Sequence, residues 1–157
     1  MRAIRTIIKS LAVVVLALTG SFVSPLSAQT QERVYSGPIH LPDFQGRDRA
    51  FARYRTRISK AMASGPDFAW RYAFVRIGCG TGCTLNVIGD VATGRVFAFP
   101  YNGENYDQLD LSFSVKETGV TAKWYSSGIC YSDYLIWNGR SFVSSGPTQS
   151  PAEACKY

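Results

Sequence analysis

Residues 70–91, WRYAFVRIGCGTGCTLNVIGDV, set the architecture of the chain. Aromatic residues recur at every second position at the start of this stretch, at Trp70, Tyr72 and Phe74, which is the period of a β-strand. A second candidate strand runs from residue 83 to residue 91, after the segment Gly78-Cys79-Gly80-Thr81-Gly82-Cys83. The stretch therefore predicts two strands joined by a short, glycine-rich turn that carries two cysteines.

The same period continues toward the C-terminus. Further candidate strands cover residues 95–99, 109–116, 120–125, 131–137 and 141–144. The last two are joined by Asn138-Gly139, which is the strongest hairpin signal in the chain. The spacing of these strands favours an antiparallel meander.

One amphipathic helix is predicted before the strands, over residues 47–63. Apolar side chains on one face share a helical spacing: Phe51, Tyr54, Ile58, Ala61 and Met62. Asp48 could cap its N-terminus, and Ser64-Gly65-Pro66 is a strong stop signal. The predicted fold is therefore mainly β, a curved antiparallel meander of about seven strands preceded by one helix, with an α+β arrangement as the alternative.

The N-terminus predicts export. A basic start and an unbroken apolar run over residues 11–18 precede Leu26-Ser27-Ala28, so we interpret residues 1–28 as a signal peptide cleaved near Ala28. An uncleaved anchor is the alternative, although the run is shorter than a membrane span requires. The mature chain would begin with an extended lead-in, residues 29–46, followed by one disulfide-stabilised β-rich domain, residues 47–157. No transmembrane span is expected in the mature chain. The expected location is the periplasm or the exterior.

Export makes disulfides the default for the four cysteines, which allow three pairings. We favour Cys79–Cys83, whose flanking glycines let a short ring close, together with Cys130–Cys155, which would hold the proline-rich tail. A redox pair or a metal site is the alternative for the first two. Their spacing is not Cys-x-x-Cys, and a zinc site would need two more ligands in a chain whose one histidine is His40. We therefore expect no metal and no cofactor.

Three motifs carry a resemblance to a family of exported proteins. They are residues 66–72 (PDFAWRY), residues 78–83 (GCGTGC) and residues 90–96 (DVATGRV). Together they resemble an uncharacterised family of small exported bacterial proteins with a PxFAxxY, GCGxxC and DxxTG pattern. The resemblance covers residues 66–100, with a looser echo at residues 134–142, and departs from the family at Asp67 and Trp70. It implies the compartment and the architecture, and it implies no catalytic residues.

Charge is uneven along the chain. The formal net charge is +6, and removal of Arg2, Arg5 and Lys9 with the signal peptide leaves +3. Residues 29–76 carry nine basic and four acidic side chains, and four of the basic ones lie opposite the apolar stripe of the helix: Arg49, Arg53, Arg57 and Lys60. This face is either an ordinary solvated surface or a binding surface for anions. An exported protein is not expected to bind nucleic acid.

Aromatic side chains supply the second candidate surface. Trp70 and Tyr72 lie at the start of the first strand and could bind a partner if one face of the sheet is exposed. The alternative is that they form cross-strand side-chain pairs that stabilise the sheet. No nucleophile elbow, phosphate loop or placed carboxylate pair is present. We therefore predict a non-enzymatic binding domain of the bacterial envelope, of which an inhibitor-like module is one form, with an envelope or secreted protein or an anionic surface as partner. The alternative is a thiol-disulfide or hydrolytic periplasmic enzyme.

Overall fold

The computed structural model describes residues 33–155. The predicted signal peptide, residues 1–28, and the first residues of the lead-in lie outside this range.

The described chain contains one helical segment followed by eight strands. A 3-10 helix, Arg49–Tyr54, leads directly into helix α1, Arg55–Ala63, and a second 3-10 turn, Ala152–Cys155, ends the described chain. The strands are β1 Tyr72–Gly80, β2 Cys83–Asp90, β3 Val96–Ala98, β4 Asp107–Phe113, β5 Gly119–Ser126, β6 Ile129–Trp137, β7 Phe142–Ser144 and β8 Thr148–Pro151. The predicted class, a mainly β fold with one helix before an antiparallel meander, is confirmed.

The meander is divided into two antiparallel sheets. The first has the order β1-β2-β3, and the second has the order β4-β5-β6-β7 with β8 also paired to β6. Strands β7 and β8 lie end to end along β6, since β7 pairs with its C-terminal half and β8 with its N-terminal half. The segment that the sequence suggested to be a tail therefore contributes a strand.

The first sheet is the middle layer of three. In β1, Tyr72 and Phe74 face the second sheet, whereas Ala73 and Val75 face α1, so the strand is buried on both sides. The core between the sheets is largely aromatic, and Phe74 stacks on Phe113 with ring centroids 4.4 Å apart. The core under the helix is aliphatic and includes Ile58, Met62, Val87, Val91 and Val96.

The prediction that Asp48 caps the helix is wrong. Asp48 makes no capping hydrogen bond with its side chain. Its buried carboxylate instead accepts hydrogen bonds from the backbone N–H of Val96, at 3.1 Å, and of Asp43, at 3.2 Å, and it pairs with Arg47. The carboxylate therefore joins the lead-in to strand β3. A buried N–H of a strand must find a protein acceptor, whereas the N–H groups at an exposed helix end can bond to water.

Both favoured disulfides are present. Cys79 and Cys83, with Cα atoms 5.2 Å apart, close a ring over the β1–β2 turn. Cys130 and Cys155, with Cα atoms 5.4 Å apart, attach the C-terminal 3-10 turn to β6. Within residues 33–155 the helices are too short and too polar to cross a bilayer.

Candidate functional site

A cleft of about 310 Å³ lies between α1 and the outer edge of β1, and we call it the cationic cleft. Three of its side chains are basic: Arg57 and Lys60 on α1, and Arg76 on β1. The complete lining is Arg57, Lys60, Ala61, Ser64, Phe74, Val75 and Arg76. The cleft is therefore a groove with an apolar floor and a cationic rim.

The helical period places the basic residues of α1 along the groove. Ile58 and Met62 are fully buried against the first sheet. Arg57, Lys60 and Ser64 follow one another at helical spacings beside this stripe, so they lie on the flank that borders β1. The apolar stripe fixes the rotation of the helix, because turning Arg57 and Lys60 away from β1 would expose Ile58 and Met62.

A glycine of the first sheet lets the helix approach closely. A Cβ atom built on Gly89 would lie 2.4 Å from Sδ and 2.6 Å from Cγ of Met62. Both distances are shorter than any real Cβ contact, so the bare backbone of Gly89 is the surface on which Met62 rests. The width of the cationic cleft thus depends on a residue of β2 that does not line it.

Strand β1 presents an unpaired edge to the cleft. Its odd-numbered residues hydrogen-bond toward β2, as Arg71 does when its carbonyl accepts from the N–H of Val91. The backbone N–H and C=O groups of the even-numbered residues point away from β2. On that side Tyr72 pairs with Phe68, and the N–H of Phe74 donates to the Asp67 carboxylate at 2.7 Å. Among the described residues no strand pairs with β1 beyond this point.

Arg76 anchors the rim to the second sheet. Its Nη2 donates to the carbonyl of Leu111 at 2.6 Å, and a carboxylate oxygen of Asp110 lies 4.0 Å away. The guanidinium is more than one-third exposed, and it carries donors beyond those used in this contact. Arg76 is therefore held in place while it still faces solvent.

The basic side chains of the helical segment are not neutralised by neighbours. Within residues 33–155 the ion pairs are Arg47–Asp48, Arg71–Asp90 and Arg76–Asp110. None of the exposed cations of the helical segment has a carboxylate within 4.0 Å in that range: Arg49, Arg53, Arg55, Arg57 and Lys60. A concentration of unpaired cations beside a groove raises the local concentration of anions.

The structure separates the predicted basic residues. Arg57 and Lys60 line the cleft. Arg49 and Arg53 lie on the preceding 3-10 helix and do not line it, and the guanidinium of Arg53 lies 6.0 Å from the ring centroid of Tyr54. Sequence reasoning missed Arg76, because the strand period shows which face a residue occupies but not that β1 is an edge strand.

The two residues of the predicted aromatic surface pack in the core or against it. Tyr72 is only 7% exposed and belongs to the core between the sheets, so it is not available to a partner. Trp70 precedes β1 with a positive φ of 62° and packs against the same core. The large hydrophobic side chains that are exposed on the sheets are Tyr134, Ile136 and Val143, on the outer face of the second sheet.

Comparison of the chain with protein families, with curated proteins and with solved structures finds no match. The resemblance to an exported bacterial family, based on residues 66–100, stays a prediction.

Proposed function

We propose that the protein is an exported, periplasmic binding domain without catalytic activity, which holds an anionic envelope or secreted protein in the cationic cleft. The observation that carries this proposal is the set of unneutralised cations, Arg57 and Lys60, which border an apolar groove at a sheet edge. A groove supplies contact area, and the cations supply attraction and orientation. An inhibitor-like module that occludes an acidic partner is one form of this function.

Two features support the location. The described domain is held by two disulfides, which persist in oxidising compartments such as the periplasm. The basic and apolar pattern of residues 1–28 is that of a cleavable export signal. Neither cofactor nor metal has a part in the proposed function, and nucleic acid is not the proposed partner.

A charge-reversal experiment tests the cationic cleft. The double substitution Arg57→Glu and Lys60→Glu should weaken binding of a fluorescent polyglutamate probe by about tenfold or more, since attraction becomes repulsion. Fluorescence anisotropy measures the affinity. Binding by the unaltered protein should also fall as salt is raised, because the rim is exposed to solvent and screened.

The matched control carries the same net charge. Lys116→Glu with Arg140→Glu changes two exposed cations in the β4–β5 and β6–β7 turns, which do not line the cleft. This variant should retain most of the affinity. An equal loss in both variants would show that the probe responds to net charge alone and would contradict a site at the cleft.

A further inference from the structure

We propose that the β1 edge accepts an extended acidic segment of the partner as an additional strand. This inference rests on the proposed function and specifies how the partner is held. It requires three properties of the edge, namely unpaired backbone groups, space beside them and a charge that selects the occupant.

The unpaired backbone groups follow from the alternation of β1. Outward groups are already used at Tyr72, by Phe68, and at the N–H of Phe74, by Asp67. The next outward groups are the carbonyl of Phe74, the N–H and carbonyl of Arg76, and the N–H of Gly78, and no described backbone or side-chain group pairs with them. Acceptors and donors alternate in this order, which is the arrangement that strand addition uses.

Asp67 sets the limit of the available edge. Because its carboxylate already accepts from the N–H of Phe74, an incoming strand cannot continue toward Tyr72. At the other end, Gly78 and Cys79 are exposed, and the register of β1 with β2 shifts between Gly78 and Gly80. The edge therefore offers one short ladder, from Phe74 to Gly78.

The space beside the edge is the cationic cleft, which contacts Phe74, Val75 and Arg76. Side chains of an added strand alternate between its two faces. Those on the helix side would meet Arg57 and Lys60, and those on the other side would meet Arg76. Carboxylates on both faces of the segment are therefore favoured, and an acidic, extended peptide is the occupant that fits.

Charge disfavours a second copy of the chain at this edge. Pairing β1 with β1 would bring together two copies of Arg57 and Lys60, which have no carboxylate within 4.0 Å, and like charges at an interface are repulsive. An anionic membrane would satisfy the charges but could not pair the alternating donors and acceptors. Among these occupants the acidic segment alone satisfies both.

Gly78 allows a test that leaves charge unchanged. Proline at this position removes the outward N–H, and proline is tolerated in an edge strand where the N–H faces solvent. Alanine is the matched control, because a Cβ atom on Gly78 would meet no atom within 4 Å. Gly78→Pro should weaken binding of a pool of acidic peptides, each about eight residues long, by roughly tenfold, whereas Gly78→Ala should bind as the unaltered protein does.

A second pair of probes changes the peptide and not the protein. The same pool with alternate backbone nitrogens methylated keeps every carboxylate but cannot complete a ladder. It should bind roughly tenfold more weakly than the unmethylated pool.

Retained circular dichroism and intact disulfides establish that the Gly78 variants are folded.

The outcomes separate the two proposals. Equal binding of both peptide pools, with Gly78→Pro unaffected, would overturn strand addition and leave the cationic cleft as a site for negative charge. Absence of binding to either pool, together with indifference to Arg57→Glu and Lys60→Glu, would overturn both. A concentration-dependent dimer abolished by Gly78→Pro would assign the edge to a second copy, and binding to anionic vesicles alone would assign the cations to a membrane.

Discussion

At the scale of single residues, the most heavily bonded carboxylate of the second sheet is Asp133 on β6. It is only 2% exposed and accepts hydrogen bonds from the hydroxyls of Tyr101, Ser144 and Ser145. Burial raises the pKa of Asp133, but the three hydroxyl bonds outweigh burial and hold the pKa below its usual value. The carboxylate thus joins β6 to β7 and to the loop after β3.

Tyr101 makes this cluster sensitive to alkali. Burial, reinforced by the bond to Asp133, raises the pKa of Tyr101 to about 12. In the unfolded chain a tyrosine titrates near pH 10, so the unfolded state loses its proton first. The contribution of Tyr101 to stability is therefore complete below about pH 10 and is lost as the pH rises toward 12.

The substitution Tyr101→Phe isolates this effect from the titration of other groups. We expect the unaltered protein to lose more unfolding free energy than Tyr101→Phe between about pH 10 and pH 12, since the variant has no proton to lose at this position. Urea denaturation at several pH values measures both proteins. Parallel pH profiles for the two proteins would show that Tyr101 titrates normally in the folded state.

At the scale of elements, local sequence patterns were sufficient to predict the strands and turns whose geometry is set by neighbouring residues. The alternation in β1 and the Asn138-Gly139 turn both predicted the observed strands, and Asn138 Oδ1 indeed accepts from the backbone N–H groups of Arg140 and Ser141. The turn at Gly94 is also set by local residues, since the φ of Gly94 is +75° and the backbone carbonyl of Asp90 accepts a hydrogen bond from its N–H.

Other features depended on contacts that are distant in sequence. The division of the meander after β3 places β4 in a new sheet, and no periodicity encodes which strand becomes an edge. This is why Arg57 and Lys60 could be predicted as a basic helix face, whereas Arg76 could not be added to them. Tyr72 was misplaced for the same reason, because a period of two does not show that both faces of a strand are covered.

The contact between α1 and β2 provides the test at this scale. Gly89→Ala should destabilise the protein by about 1–3 kcal/mol, because the new Cβ atom would force Met62 and the helix outward. Gly78→Ala, in the neighbouring strand with open space around it, should change stability far less. Denaturant midpoints of the two variants give the comparison, and equal midpoints would show that Met62 rearranges without displacing α1.

At the scale of the whole molecule, the two disulfides constrain very different lengths of chain. Cys79–Cys83 closes a separation of four residues within one hairpin, whereas Cys130–Cys155 closes a separation of 25 and holds β7, β8 and the C-terminal turn against β6. In the chain-entropy description a longer closed loop removes more freedom from the unfolded state. The long loop should therefore dominate global stability, and the short ring should mainly shape the β1–β2 turn.

Paired serine substitutions distinguish these roles. Replacing Cys130 and Cys155 should lower the unfolding free energy by about 3.5 kcal/mol, and replacing Cys79 and Cys83 by about 2 kcal/mol, from loop length alone. Denaturation under non-reducing conditions measures both. Because Gly78 lies beside Cys79 at the end of the open edge, loss of the short ring should also weaken acidic-peptide binding, although its cost in stability is the smaller. A larger loss of stability from the short ring would contradict the loop-length argument and would indicate that the β1–β2 turn contributes more to global stability than the C-terminal attachment does.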